Sequence, residues 1–127
     1  MAQILLAEDD KSMLNFLVIA LERAGHNITA TENGSEALDA LNNNDDFDLL
    51  LTDIVMPGID GIELAQKATD KYPNIKVMFI TGFAAIAMEK YNLQESSDNK
   101  DTQMLSKPFH LNDLVEQVED MLSHSKE

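Results

Sequence analysis

The chain is 127 residues long, with 44% hydrophobic residues and no cysteine, which fits one globular domain and excludes disulfide bonds and thiolate chemistry. Its 23 acidic and 9 basic residues give a net charge of −14, a field that opposes direct binding to nucleic-acid phosphates. No stretch approaches the ~20 apolar residues of a membrane span and no basic leader opens the chain, so we expect a cytoplasmic protein that binds neither nucleic acid nor membrane.

Apolar strand-like runs alternate with helix-period segments along the whole chain. The five candidate strands, in chain order, are Gln3 to Ala7, Asn27 to Thr31, Asp48 to Thr52, Lys76 to Thr81 and Thr102 to Ser106. Because these runs are almost continuously apolar and helical segments separate them, the pattern predicts an α/β fold with a parallel sheet. Helices are expected to cover both faces of that sheet.

Four segments have the apolar period of an amphipathic helix. The first is expected to end at Gly25 and to bury Met13, Phe16, Leu17, Ala20, Leu21 and Ala24. The second is predicted over Ser35 to Leu41, and the third from Gly61 to near Tyr72. The last is predicted to reach about Ser123 and to bury Leu111, Leu114, Val115, Val118 and Leu122. Between Glu89 and Asp101 the polar, weakly patterned sequence predicts a shortened further helix followed by a loop.

Chemically reactive side chains stand where four of the predicted strands end. Glu8 and Asp9 follow the first strand, Asp53 follows the third, Thr81 closes the fourth and Lys107 follows the fifth. The carboxyl ends of parallel strands share one edge of a sheet, so we expect these residues to meet there. Because several carboxylates brought together repel one another, the set suggests a divalent cation with oxygen ligands, and hence Mg2+ and phosphate chemistry.

Each of these side chains suits one task in phosphoryl transfer. Asp53 can attack a phosphorus atom and become an acyl phosphate. Asp9 directly, Glu8 through water and Asp53 itself can help to hold Mg2+, together with a backbone carbonyl. Lys107 can neutralise phosphoryl oxygens, and the Thr81 hydroxyl can hydrogen-bond the phosphoryl group once it is attached.

The order of these motifs resembles that of the response-regulator receiver domains of bacterial two-component signalling. The matching residues are the acidic pair Glu8 and Asp9, the phosphoacceptor Asp53, the turn Met56-Pro57 with Asp60-Gly61, the hydroxyl of Thr81, and Lys107-Pro108-Phe109. The resemblance covers the whole chain and implies a flavodoxin-like, doubly wound (βα)5 fold with strand order 2-1-3-4-5. It also implies a receiver domain over residues 1–123, a short polar tail over 124–127 and no output domain.

The same resemblance implies how the site works. A sensor histidine kinase or a histidine phosphotransferase would phosphorylate Asp53, with Mg2+ as cofactor and the backbone carbonyl of Val55 as a further metal ligand. A cis peptide is implied between Lys107 and Pro108. The domain would catalyse its own phosphorylation and dephosphorylation, and would act as a signalling module rather than as an enzyme with a separate substrate.

Four longer runs look more specifically like the single-domain CpdR-type regulators of alphaproteobacteria. They are Ile4 to Asp10, Thr52 to Pro57, Met78 to Ala85 and Leu105 to Leu111. This resemblance implies that the unphosphorylated protein helps to direct the ClpXP protease. The family's usual output face, built from the fourth helix, fifth strand and fifth helix, would here include Ile86, Met88, Tyr91 and Met104.

Two departures from the family pattern change the expected behaviour. Receivers often carry an aromatic residue three positions before the lysine, and here that residue is Met104, so an aromatic in–out switch is absent there. An unbranched methionine can still repack between two states. Val55 and Phe83 flank the phosphoryl site by analogy with the family, and neither can orient a hydrolytic water. Slow self-dephosphorylation is therefore predicted.

Simpler interpretations and other functions fit parts of the pattern. Asp10 and Asp60 are expected to cap helices, capping alone is an alternative for Asp9, and Thr81 could be an ordinary strand residue. The histidines, namely His26, His110 and His124, are not spaced as metal ligands. An aspartyl phosphatase would need Asp-x-Asp after the first strand, and a flavodoxin-like carrier would need a glycine-rich phosphate loop there. A phosphate sink without an effector shares every motif and stays open.

Overall fold

The computed structural model describes residues 2–43, 46–82 and 102–123, and within them five strands alternate with four helices. The strands are β1 (Gln3–Ala7), β2 (Asn27–Thr31), β3 (Leu49–Asp53), β4 (Lys76–Thr81) and β5 (Thr102–Ser106). The helices are α1 (Lys11–Arg23), α2 (Gly34–Asn43), α3 (Gly61–Lys71) and the C-terminal helix (Leu111–Ser123). Of the helices described, none has the length and apolar character needed to traverse a lipid bilayer.

All five strands run parallel in one sheet with the order β2-β1-β3-β4-β5, which confirms the predicted doubly wound fold. The strand order reverses at β1, which lies between β2 and β3. In such sheets, ligands bind beyond the carboxyl ends of the strands at this reversal. The register sets Ala7 beside Thr52, Asp53 beside Ile80 and Thr81 beside Ser106, so the strand ends form one line.

The core consists of two layers, one on each face of the sheet, because successive strand residues point to opposite sides. One layer holds Leu5, Leu50 and Phe79 with residues of α2 and α3. The other holds Leu6, Leu51 and Met78 with residues of α1 and the C-terminal helix, among them Met121. Every residue of β3 and β4 is buried, and each fully buried leucine or isoleucine contributes about 1.5–3 kcal/mol.

The apolar stripe predicted for α1 was correct for Leu17 and Leu21 and wrong for Phe16 and Ala24. The helix buries Leu14, Leu17 and Leu21, whereas the side chain of Phe16 is 58% exposed and Ala24 is exposed as well. Two apolar stripes with helical spacing run along this segment, and periodicity alone does not say which one faces the sheet. The expected end of the helix was correct, since Gly25 adopts the left-handed backbone that glycine favours, with φ +99°.

The helices that start at the functional edge are capped as expected. Asp10 Oδ1 accepts hydrogen bonds from the backbone N–H groups of Ser12 and Met13 at 3.0 and 3.2 Å. Asp60 Oδ1 accepts one from the Glu63 N–H at 2.9 Å. Such caps satisfy amide protons that have no partner within the helix, and they fix where α1 and α3 begin.

Candidate functional site

Side chains from three strand ends meet at the carboxyl edge of the sheet. The Nζ of Lys107, which follows β5, donates to Asp53 Oδ2 at 3.0 Å and to Glu8 Oε1 at 3.2 Å. Glu8 follows β1 and Asp53 closes β3, so one ammonium group links two carboxylates that lie far apart in the sequence. The parallel register brings them together, as the sequence predicted.

Three carboxylates of this edge are close enough to share a cation. Glu8, Asp9 and Asp53 each offer an oxygen, and these oxygens all lie within 4.8 Å of one another. Glu8 and Asp53 are buried, whereas Asp9 is exposed, so the cluster opens to solvent on one side. An all-oxygen donor set with excess negative charge fits a hard divalent cation such as Mg2+. The residues present therefore match the metal that the resemblance implies.

Asp53 is held firmly by its own surroundings. Its Oδ1 accepts a hydrogen bond from the Ile54 N–H at 2.8 Å, while Oδ2 accepts from Lys107. Its backbone carbonyl accepts from the Thr52 hydroxyl at 2.8 Å. The side chain is only 10% exposed. These contacts fix the orientation of the carboxylate and leave only a small part of it accessible to solvent.

Burial strongly perturbs Glu8, whose side chain is completely inaccessible. Desolvation raises its pKa to about 7, and the negative charge of Asp53 adds to that rise. The hydrogen bond from the Asp10 N–H to Oε2, at 3.0 Å, and the nearby Lys107 oppose the rise but do not cancel it. Near neutral pH this carboxyl group therefore exchanges its proton readily, and a bound cation would displace that proton.

Lys107 keeps its positive charge in this setting. Burial by itself lowers the pKa of the ammonium group, since its side chain is 24% exposed. The hydrogen bond to Asp53 and the charge of Asp53, followed by those of Glu8, outweigh this effect and raise the pKa above its ordinary value. The Lys107 N–H donates to the Thr81 carbonyl at 2.8 Å, and the Lys107–Pro108 peptide is cis, as the resemblance implied.

The other predicted site residues lie around this centre or outside the described residues. Thr81 ends β4, between the strands that carry Asp53 and Lys107, and is almost completely buried. Val55, two residues after Asp53, is 59% exposed. Met104 is half-buried on β5, next to Phe79 in the register, and packs against the core layer of α2 and α3. The remaining predicted residues, Phe83, Ile86, Met88 and Tyr91, lie outside the described residues.

Two features of the site region were missed from the sequence. The exposed side chains of Phe16 and Ile19 share one face of α1, although the periodicity suggested that Phe16 was buried. The sequence did carry one signal for this exposed face. Apolar residues occur on two sides of α1, and a helix packed on one side of a sheet does not bury both of them. The close backbone contacts of Gly34 and Gly61 left no sequence signal beyond the glycines themselves.

Comparison with known proteins finds response regulator receiver proteins both by sequence and by structure. The family model for the response regulator receiver domain matches residues 4–119. The response regulator receiver protein CpdR of Brucella abortus (strain 2308) is 54% identical over 122 residues, which cover 96% of this chain and 98% of that protein.

Two solved structures extend the likeness to the fold. The crystal structure of a response regulator receiver protein from Sinorhizobium medicae WSM419 has a TM-score of 0.85 and 29% identity, and covers 98% of this chain and 96% of that one. The response regulator protein TrrA from Thermotoga maritima, crystallised in complex with Mg2+-BeF, has a TM-score of 0.78 and 29% identity, covering 95% and 99%. Both likenesses include nearly the whole chain.

Proposed function

Because this chain belongs to the family of response regulator receiver domains, we propose that it accepts a phosphoryl group on Asp53 and thereby switches a protein-binding surface. The observation that carries this proposal is the Lys107 ammonium group within hydrogen-bonding distance of both Asp53 and Glu8. An oriented carboxylate beside a fixed positive charge suits attack on a phosphoryl group. The donor is a phosphohistidine of a sensor kinase or phosphotransferase, or a small acyl phosphate.

Asp53 performs the covalent step. One of its carboxylate oxygens forms a bond to phosphorus, while the bond from phosphorus to the donor breaks and leaves its electron pair on the donor atom, which is a nitrogen in phosphohistidine and a carboxylate oxygen in an acyl phosphate. The Ile54 N–H holds Oδ1 and so limits rotation of the carboxylate. Lys107 stabilises the negative phosphoryl oxygens during transfer, and the Thr81 hydroxyl binds the group once it is attached.

Four groups of this chain would hold Mg2+. They are the carboxylates of Asp9 and Asp53, Glu8 through a water molecule, and the backbone carbonyl of Val55. The cluster of carboxylate oxygens within 4.8 Å of one another supports this assignment. When bound, Mg2+ supplies positive charge that offsets the carboxylates and the phosphoryl oxygens. The likeness to TrrA, crystallised with Mg2+-BeF, supports the choice of metal.

The exposed face of α1 offers a place for the phosphodonor protein. Phe16 and Ile19 are 58% and 50% exposed, and a separation of three residues places them on the same face of the helix. At a rise of about 1.5 Å per residue they lie roughly 9 and 14 Å along the helix from Asp10, which caps α1 beside the site. An apolar surface at this distance suits a helical partner that presents a phosphohistidine to Asp53.

The output is a change in protein binding. The unphosphorylated form binds a component of a ClpXP-type protease and so promotes regulated proteolysis, and phosphorylation weakens this binding. Similarity to CpdR over nearly the full length of both proteins supports this choice. The binding surface comprises Met104 and, beyond the described residues, Ile86, Met88 and Tyr91. Met104 can repack because it is half-buried, unbranched and adjacent to Phe79.

The phosphorylated state is long-lived in the isolated domain. The exposed Val55 side chain stands two residues from Asp53 and has no polar atom with which to position an attacking water. Replacement by asparagine supplies such a group and is expected to speed loss of the phosphoryl group several-fold, as measured by intact mass over time. Equal lifetimes for the two proteins would remove Val55 from this account.

Intact mass spectrometry after incubation with acetyl phosphate tests the proposed function directly. Wild-type protein should gain one phosphoryl group only when Mg2+ is present, and Asp53→Ala should gain none. An adduct that persists in Asp53→Ala would place the acceptor elsewhere. A pull-down of the ClpX component with phosphorylated and unphosphorylated protein then tests the switch. Equal binding by the two forms would overturn the switch, and binding by neither form would leave a phosphate sink as the better description.

A further inference from the structure

The first turn of α2 is packed directly against the loop that leaves the phosphoacceptor strand. We call residues 54–60, between β3 and α3, the acceptor loop. A Cβ atom placed on Gly34 would lie 2.9 Å from the Ile59 Cβ, 3.0 Å from its carbonyl carbon and closer still to its carbonyl oxygen. At the adjoining position, a Cβ on Gly58 would lie 3.8 Å from the Ser35 Oγ. Gly34 therefore packs against Ile59, and the next residue of α2, Ser35, lies close to Gly58.

The other end of the acceptor loop is fixed in the same way. A Cβ on Gly61 would lie 2.9 Å from the Ile54 Cα and 3.0 Å from the Asp53 carbonyl carbon. The Gly61 N–H donates to the Ile54 carbonyl at 2.8 Å. Gly61 thus anchors the start of the loop and Gly34 its end, and Val55 lies between these two anchors.

The need for glycine at position 34 is spatial. Glycine is tolerated where helices start, but the backbone of Gly34 lies outside the left-handed region, so its conformation alone does not demand glycine. The opposing atoms belong largely to the backbone of Ile59, which cannot rotate away as a side chain can. Any side chain at position 34 must therefore displace α2 or the acceptor loop.

We propose that Gly34 is a positioning residue for the phosphoryl-transfer site. By allowing α2 to close against Ile59, it fixes the acceptor loop and with it the carbonyl of Val55. The inference rests on the proposed function, in which that carbonyl is a Mg2+ ligand. Because Mg2+ tolerates little departure from octahedral geometry, a small displacement of this ligand weakens binding.

The test compares Gly34→Ala with Leu41→Ala, a matched variant near the opposite end of the same helix. Leu41 is buried in the core seven residues further along α2, about 10 Å from Gly34 along the helix axis, so its truncation destabilises α2 by leaving a cavity. Three quantities are measured for each protein: Mg2+ affinity by titration, amide chemical shifts of residues 54–61 without metal, and the urea midpoint of unfolding.

Gly34→Ala is expected to weaken Mg2+ binding about tenfold and to shift the loop amides in the metal-free protein. Leu41→Ala should lower the urea midpoint at least as much, yet keep Mg2+ affinity within twofold of wild type. Wild-type affinity and shifts in Gly34→Ala, or equal loss of affinity in Leu41→Ala, would overturn the proposal. If wild-type protein itself fails to bind Mg2+, the proposed function falls instead.

A second variant approaches the contact from the loop. Ile59→Gly removes the side chain that α2 abuts and frees the loop backbone, and it serves if Gly34→Ala does not fold. We expect its Mg2+ affinity to fall at least threefold. Unchanged affinity in this variant would also count against a positioning role for the α2 contact.

Discussion

Two groups of polar side chains join distant parts of the chain at opposite ends of the sheet, and they differ in charge balance. At the amino ends of the strands, the Nδ1 of His26 accepts from the Ala2 N–H at 3.2 Å, and its Nε2 lies 2.5 Å from Oε2 of Glu119. Since Nδ1 is an acceptor there, Nε2 carries the hydrogen atom and donates a hydrogen bond to Glu119. At the carboxyl ends, one ammonium group faces both Glu8 and Asp53.

The difference separates a structural contact from a reactive site. The histidine pair matches one donor with one acceptor, and Glu119 remains half exposed to water. The carboxyl edge gathers three carboxylates, two of which contact Lys107, and the pKa of Glu8 rises to about 7 because the group is buried beside Asp53. Incomplete compensation and perturbed pKa values are typical of functional sites. Both groups connect the C-terminal part of the chain to residues that flank β1, but only the group at the carboxyl edge has more negative charges than positive ones to balance them.

Of the changes considered, removing the charge of Lys107 should have the largest effect on phosphorylation. In Lys107→Met the transferred phosphoryl oxygens lose their fixed positive charge, and we expect phosphorylation by acetyl phosphate at saturating Mg2+ to slow about 100-fold. Because Asp53 and Glu8 also lose their partner, the metal-free protein should be less stable by about 1–3 kcal/mol. Adduct formation at the wild-type rate would show that the lysine is structural.

The raised pKa of Glu8 predicts a pH-dependent stability in the metal-free protein. Below pH 4.5 the carboxyl group is protonated in both states, so its stabilising contribution is fully present. Between pH 4.5 and about 7 the unfolded chain releases this proton while the folded state keeps it in its buried site, so about 3 kcal/mol of stability is lost across that window. The pKa of Lys107 lies above this window, so the ammonium group does not contribute to the change.

Urea unfolding of wild type and Glu8→Gln between pH 4.5 and 8 measures this effect. The variant loses a negative charge, so its absolute stability differs, but the slope due to position 8 should vanish. Parallel pH profiles for the two proteins would contradict the assignment. Mg2+ affinity in wild type should fall as pH drops below about 7, because the proton competes with the cation for the carboxylate.

Shortening Phe16 should affect only transfer from a protein donor. In Phe16→Ala the exposed apolar face of α1 is reduced, and we expect transfer from a phosphorylated histidine phosphotransferase to fall about tenfold, a loss of roughly 1.4 kcal/mol in transition-state binding. Phosphorylation by acetyl phosphate should be unchanged because that donor needs no docking surface. Ile19→Ala serves as a second variant of the same face. Equal loss with both donors would point to a general disturbance of the site.

Weakening the hydrogen bond between His26 and Glu119 should have the smallest effect on stability and on phosphorylation. Glu119→Gln retains an oxygen that can accept the His26 proton, and Glu119 is half exposed, so stability should change by less than about 1 kcal/mol. Adduct formation with acetyl phosphate should match wild type. A marked slowing of phosphorylation would mean that the two ends of the sheet are coupled.

Most of the fold was predictable from the sequence because the central strands β1, β3 and β4 are almost entirely buried and therefore read as continuous apolar runs. Each predicted strand agrees with the structure except the third, which begins and ends one residue later than expected, at Leu49 and Asp53. The reason lies in Asp48, whose N–H donates to the Gln3 carbonyl and whose Oδ2 accepts from the Gln3 N–H, both at 2.8 Å. These bonds place Asp48 at the entrance to β3.

The residues of the candidate site were predictable because their positions at the strand ends were predictable. Residues that end parallel strands must share an edge, so the meeting of Glu8, Asp53 and Lys107 followed from their positions. The mistake on α1 has the opposite origin. Helical spacing allowed either Phe16 or Leu14 to face the sheet, and neighbouring elements chose Leu14.

The sequence by itself determined the class of fold, the bounds of its elements to within one or two residues and the identity of the residues at the reactive edge. It could do so because the spacing of apolar residues and the capping residues are local properties of the sequence, and the order of the strands along the chain fixes which residues end them. Only the tertiary structure decided the face that α1 exposes, the burial that raises the pKa of Glu8, and the contact between Gly34 and Ile59. Those depend on desolvation and on close packing between elements distant in the chain, which no single segment encodes.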